Sequence, residues 1–234
     1  MRRLFSTSFI VFLGLLTCML CSSCGNNTEN YTGTDDSRLD TLHSLFEELA
    51  LSYETSDRTA WQKPTEVINL MGNLEDKTVA DIGAGTGYFT IRLARQAKKV
   101  IAVDIDTMAL NYIDNIKWRL ESETAAKIET RLAEPDDPNL EMNEVDVILM
   151  VNTYPFIPDR PNYFKSLMEH LNPEGQVLII DFKKKRLPIG PPSSQKIALN
   201  VVEQEMEQAG FELIDSDDRL LDYQYVVLFR KSAS

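Results

Sequence analysis

The chain has 234 residues, 43% of them hydrophobic and 26% charged, with a formal net charge of −12. That length suits one domain with a full core plus a short extra segment. The acidic balance speaks against nucleic acid as a partner, because a binding face would have to overcome the field of the whole molecule.

Met1 to Cys24 reads as a targeting segment separate from the fold. Arg2 and Arg3 form a basic start, Phe9 to Leu20 is an apolar run too short to span a bilayer comfortably, and Cys21-Ser22-Ser23-Cys24 follows. This resembles a bacterial lipoprotein signal, which implies cleavage before Cys24, lipidation of Cys24 and a periplasmic or outer-membrane-side location. An uncleaved membrane anchor is the competing reading. All the cysteines, Cys18, Cys21 and Cys24, lie here. The body therefore has no disulfide framework, thiolate metal site or cysteine nucleophile. His43 and His170 are too isolated for a metal centre, so no metal site is expected. Residues 25–37 form a polar tether, and 38–234 form the domain.

The domain opens with a helical cap over residues 38–72. Arg38 to Tyr53 carries Leu39, Leu42, Phe46, Leu49 and Tyr53 at helical spacing. Asp57 to Pro64 is expected as a loop, with Pro64 in the first turn of a helix that buries Val67, Ile68 and Met71 and ends near Gly72. Lys77 to Ala80 reads as the first strand. Asp81-Ile82-Gly83-Ala84-Gly85-Thr86-Gly87 follows it, and Tyr88 to Ala97 has helical spacing. A strand, a glycine-rich turn and a helix in that order make a cofactor-binding βα unit, with free N–H groups at the helix start. The dinucleotide pattern G-x-G-x-x-G is not met, because its third position falls on Tyr88, and no Gly-Lys-Ser/Thr follows as in a phosphate-binding Walker loop. This spacing disfavours an NAD-dependent oxidoreductase.

The form Asp-x-Gly-x-Gly-x-Gly resembles the first motif of the class I S-adenosylmethionine-dependent methyltransferases. The resemblance extends over residues ~60–230 and implies S-adenosylmethionine as cofactor. It also implies a Rossmann-like α/β fold: an open sheet of seven strands, order 3-2-1-4-5-7-6, the last strand antiparallel, with helices on both faces. Asp81 would support the methionine end of the cofactor, with Gly83, Ala84, Gly85 and Gly87 forming the turn around it. Elements ahead of the first strand often lie over the cofactor in this family, making Tyr53, Trp61 and Lys63 candidates to close the pocket; ordinary packing and solvation are the alternatives.

Further along, Lys99 to Asp104 reads as the second strand. Asp104, 17 residues past Gly87, takes the family's ribose-binding place, and Ile105 would pack on the adenine. Asp106 is expected to cap the next helix, Met108 to about Glu123. Lys127 to Leu132 is the third strand. In the loop after it, Glu134, with Asp136 second, is expected at the adenine amino group; a solvated acidic turn is the bland alternative. Glu144 to Val151 is nearly continuous apolar sequence and reads as a central strand buried on both faces. It ends at Asn152-Thr153-Tyr154, where ligands of open α/β sheets bind. Asn152 is expected at the cofactor, and Tyr154 and Asn152 are the candidate catalytic residues. Related sequences commonly carry histidines just after this tyrosine, where this chain has Pro155-Phe156. Asp159 to Leu171 is a helix, Asn172 to Gly175 a turn, and Gln176 to Phe182 the fifth strand. Lys183-Lys184-Lys185-Arg186 would attract an anionic substrate or lipid head groups, or is simply solvated. After a proline-rich loop come a helix from Gln195 to Ala209 and two strands, Phe211 to Ser216 and Tyr223 to Arg230.

The function this implies is methyl transfer from S-adenosylmethionine to a small-molecule acceptor not identified by the sequence. The alternative is an exported, membrane-anchored module that keeps the fold and has lost catalysis. The oligomeric state is left open.

Overall fold

The computed structural model describes residues 56–232. The signal segment with Cys24, the tether, the helix from Arg38 to Tyr53 and His43 lie outside the described residues.

Within them the order is α1 (Ser56–Gln62), α2 (Pro64–Asn69), β1 (Thr78–Ile82), α3 (Thr90–Ala94), β2 (Lys99–Asp104), α4 (Thr107–Ile116), α5 (Ser122–Ala126), β3 (Ile128–Leu132), β4 (Val145–Val151), α6 (Arg160–Leu167), β5 (Leu171–Phe182), α7 (Leu199–Ala209), β6 (Phe211–Asp217) and β7 (Gln224–Lys231). The seven strands form one sheet in the order β3-β2-β1-β4-β5-β7-β6. The β1–β2, β1–β4, β2–β3 and β4–β5 pairs are parallel, and β7 runs antiparallel to both β5 and β6. This is the expected topology.

Two apolar layers cover the sheet. On one face Ile148, Met150, Val177 and Ile179 pack against Tyr163, Phe164 and Leu167 of α6 and Val202 and Met206 of α7. On the other, Val79, Val100, Leu149 and Leu178 pack against Val67 and Ile68 of α2 and Leu93 of α3. Alternate residues of β4 serve alternate faces, so Ile148, Leu149 and Met150 are all fully buried.

Several boundaries differ from the sequence reading; the helices after the glycine turn, β4 and the proline-rich loop are shorter, at Thr90–Ala94, Arg160–Leu167 and Leu199–Ala209, and three other differences have a local cause. Asp57 to Gln62 is helix, where a loop is expected. The break comes at Lys63 alone, held at φ 44° ahead of Pro64, because a residue preceding proline is sterically kept out of the right-handed helical region. The helix after β2 divides into α4, a 3₁₀ turn over Lys117–Arg119, and α5. β5 begins at Leu171, with an irregularity in its pairing where Leu171 faces Val145 and Gln176 faces Val147, so the expected turn at 172–175 is taken up as a bulged strand start.

Candidate functional site

The carboxyl ends of β1, β2, β4 and β5 meet along one edge, where an open α/β sheet presents its ligand site. The glycine turn leaves β1 there. The Gly83 and Ala84 amides donate to the Val103 carbonyl of β2 at 2.8 and 3.1 Å, folding the turn across the β2 end. Gly83 has φ +75°, and a Cβ on it would lie 2.1 Å from Thr153 Oγ1, so the loop after β4 packs directly on this glycine. Gly85 has φ +54°, and a Cβ there would meet nothing within 4 Å. It borders open space.

Two carboxylates flank the turn. Asp104 Oδ2 accepts from the Gly85 amide at 2.8 Å, and Oδ1 from the Asp106 amide at 3.0 Å. Burial raises the Asp104 pKa, and the Asp106 and Gly85 amides draw it back. Asp106 itself caps α4 by accepting from the Met108 amide at 2.8 Å, as expected from sequence. Asp81 is 3% exposed and accepts from Thr90 Oγ1 at 2.7 Å. Burial lifts its pKa to about 6 against the pull of the Thr90 hydroxyl, with nearby Asp104 adding to the rise. Ile105, at the end of β2, and Leu132, at the end of β3, are exposed, which leaves an apolar surface beside Asp104. Glu134 and Asp136 are both exposed, and Glu134 pairs through its backbone with Asp137.

Helix α1 reaches this edge by a buried polar relay. Arg58 Nε donates to Gln62 Oε1 at 2.6 Å, Gln62 Nε2 to Gln224 Oε1 at 3.0 Å, and Gln224 Nε2 to Asn152 Oδ1 at 2.6 Å. Both glutamines are fully buried. Asn152 sits at φ 59°, in the left-handed region, and its amide donates to the Ile180 carbonyl of β5 at 2.8 Å. The glycine turn's Tyr88 lies between two guanidiniums, with Arg58 Cζ 3.9 Å and Arg92 Cζ 3.8 Å from its ring centroid, and its hydroxyl shares a 3.0 Å hydrogen bond with Thr59 Oγ1. The elements ahead of β1 thus lock onto both the glycine turn and the loop after β4.

Not every sequence candidate reaches this edge. Tyr154 is fully buried; its hydroxyl donates to Glu205 Oε2 at 2.6 Å, and Arg160 clamps the same carboxylate at 2.6 and 2.9 Å. Burial and the Glu205 charge push its pKa up, so Tyr154 serves the packing of α6 and α7, and the expected catalytic placement gives way to that role. The 3₁₀ turn Tyr154–Phe156 rolls the tyrosine inward and leaves Phe156 70% exposed in its place. Lys63 donates to the Leu220 carbonyl at 2.9 Å, which is structural work. Trp61 packs on Phe182 and Tyr223, with centroids 5.9 and 6.0 Å apart. Tyr53 lies outside the described residues. Of the basic run, Lys183 is committed to the Leu221 and Asp222 carbonyls, and Lys184, Lys185 and Arg186 are exposed.

A family model described as a methyltransferase domain matches residues 56–225, and the chain belongs to that family. A SAM-dependent methyltransferase of Aquifex aeolicus has the same fold, with a TM-score of 0.72 at 23% identity over 81% of this chain and 98% of that one. A tRNA U34 carboxymethyltransferase of Aliarcobacter butzleri is 29% identical over 111 residues, 47% of this chain and 35% of that protein. A phosphoethanolamine N-methyltransferase of Triticum aestivum is 27% identical over 168 residues, 66% of this chain and 32% of that protein. The chain spans only about a third of the length of these two relatives. S-adenosylmethionine is the expected cofactor.

Proposed function

We propose that this protein is an S-adenosylmethionine-dependent methyltransferase acting on a small acceptor. The observation that carries the reading is the pairing of Asp104 with the Gly85 amide beside open space, at the carboxyl ends of β1 and β2. A carboxylate there accepts from vicinal ribose hydroxyls, an acceptor-only task suited to an ionised aspartate. The Gly85 backbone admits the cofactor closely, and Ile105 and Leu132 offer apolar surface to its base, with Glu134 or Asp136 as acceptors for the amino group. Asp81 and Asn152 flank the methionine end. When bound, the cofactor supplies an activated methyl group; the protein's part is to hold the acceptor in line and exclude water, which is worth several kcal/mol of the barrier. The relay from Arg58 to Asn152 fixes the walls of that space.

The charge of −12 favours a small acceptor over the tRNA and ribosomal RNA named for several relatives. Calorimetric titration of the full chain with S-adenosylmethionine, S-adenosylhomocysteine and NAD tests the reading. Binding of the two sulfur compounds is expected, and their failure to bind would sink it. Methyl transfer to a panel of thiols, phenols, quinols and amines then separates an enzyme from the alternative, a module that binds cofactor without catalysis. The burial of Tyr154 against Glu205 favours that alternative if the panel stays silent. We also propose membrane anchoring through Cys24, which predicts radioactive palmitate incorporation that Cys24→Ala abolishes.

A further inference from the structure

One buried acid at the same edge is not among the residues assigned to the cofactor above. Asp181 is the penultimate residue of β5 and 1% exposed. Its Oδ1 accepts the Phe182 amide at 2.7 Å, while Oδ2 is enclosed and has no hydrogen-bond partner among the described residues. An apolar side chain would pack here without that cost, as Ile179 and Ile180 do just before it. The Asn152 amide bonds the Ile180 carbonyl, so Asp181 lies one residue beyond, on the strand next to the cofactor-side loop.

Residues 183–198 pass over this end of β5 as a strap. Lys196, 1% exposed, donates to the Lys185 carbonyl at 3.0 Å and ties the two ends of this strap. Gly190 lies on the Phe182 ring so closely that a Cβ would come within 2.6 Å of it. The charged and titratable groups facing Asp181 are Lys196 from the strap and Tyr225, its register partner on β7; beyond Tyr225 lie Tyr154, Arg160 and Glu205 of the α6–α7 cluster. Lys196 directs one N–H to the strap, and none of its donors bonds Oδ2.

We propose that Asp181 Oδ2 is the acceptor-binding atom of the transferase site, and that the acceptor is an amine or hydroxyl compound that presents an N–H or O–H to it. The proposal rests on the methyltransferase reading above and names its substrate class. In the transfer the acceptor's N–H or O–H bond breaks and the proton passes to Oδ2. The freed electron pair forms the bond to the methyl carbon, and the pair of the old carbon–sulfur bond stays on sulfur, which leaves as a neutral thioether. Burial lifts Asp181 to about 7, where a carboxyl group both takes and holds a proton near neutral pH. A thiol is only a weak hydrogen-bond donor and matches a carboxylate acceptor poorly.

The test uses full-length protein carrying ¹³C-carboxyl aspartate, saturated with S-adenosylhomocysteine and titrated with ethanolamine, catechol and ethanethiol as probes. The Asp181 resonance is assigned by its loss in Asp181→Asn, with Asp181→Glu giving the same assignment if the first variant does not fold. A saturable shift with ethanolamine or catechol and none with ethanethiol is expected. Asp181→Asn should then lose at least about 100-fold in methyl transfer to the responding probe while binding S-adenosylhomocysteine unchanged. A resonance silent to both protic probes, or a wild-type rate in Asp181→Asn, overturns the proposal. Failure of wild-type protein to bind S-adenosylhomocysteine overturns the methyltransferase reading instead, and is read separately.

Discussion

At the scale of single residues, Gly83 and Gly85 do different jobs although both have positive φ, and their alanine variants should part company. Gly83→Ala drives a methyl into Thr153, 2.1 Å from its Oγ1. Overpacking costs ~1–3 kcal/mol, and the left-handed backbone adds ~1–2 kcal/mol for a residue with a Cβ. Gly85→Ala carries only the backbone cost, since its Cβ meets nothing within 4 Å. Thermal melts should show Gly83→Ala as the less stable, while calorimetry should show Gly85→Ala folded but weak for S-adenosylhomocysteine. Equal melting temperatures would contradict the packing account. Asp104→Ala should weaken the same ligand by about 1–3 kcal/mol, the worth of hydrogen bonds to a charged group. An unchanged affinity in a folded variant would remove Asp104 from the site. These residues were legible in sequence because the glycine turn and the acid ending β2 are local patterns. Asp181 was not singled out from sequence, because no motif points to an acid inside an apolar strand. Thr90, Gln62 and Gln224 were not either, because each acts through a partner that only folding supplies; the Gln62–Gln224 bond joins residues 162 positions apart.

Among elements, α1 is the instructive departure. Read alone, Asp57 to Pro64 has polar residues and a proline and lacks an apolar stripe. Its helical state is tied to tertiary contacts, from Arg58 and Thr59 to Tyr88 and from Gln62 to Gln224 of β7, which local spacing does not encode. The strands were read more closely, since β2 and β4 carry β-branched runs bounded by polar residues. Tyr154 fails for a related reason: the strand end is visible in sequence, but the 3₁₀ turn that rolls the ring inward depends on Glu205 in α7. If the relay docks α1 on the sheet, its members must be energetically coupled. Gln62→Leu and Gln224→Leu should each cost ~1–3 kcal/mol by stranding a buried amide, and the double variant should cost clearly less than the sum. Denaturant melts of the four proteins in the cycle measure this; strict additivity would mean that the 3.0 Å bond contributes nothing.

At the scale of the whole molecule, the buried acids set the pH dependence of stability. Asp81 and Asp181 have folded pKa values of about 6 and about 7, above the ordinary 3.8. Between those limits the folded state binds more protons than the unfolded chain, so stability falls as pH rises. Their contribution is therefore fully present below the ordinary value and is lost as pH climbs through about 6 to 7. Glu144, Glu129 and Glu205 act in the opposite sense: Arg131 holds the first below its ordinary 4.5, the second is lowered by Lys99 and Arg131 although burial, the largest single effect, pushes it up, and Arg160 lowers the third. Their contribution is present above that value and lost only in more acidic solution. The two sets leave maximal stability near pH 5, on the acid side of neutrality, and the net charge of −12 at pH 7 adds self-repulsion that pushes the same way. Wild-type protein should melt higher at pH 5.5 than at pH 7.5 by roughly 3–6 °C, equivalent to ~1–2 kcal/mol in a domain of this size. Asp181→Asn removes the largest of these titrations, so it should melt higher than wild type at pH 7.5 and shrink the difference between the two pH values. A wild-type melting temperature that is flat or rises between pH 5.5 and 7.5 would show that neither aspartate is held in the desolvated state its burial implies.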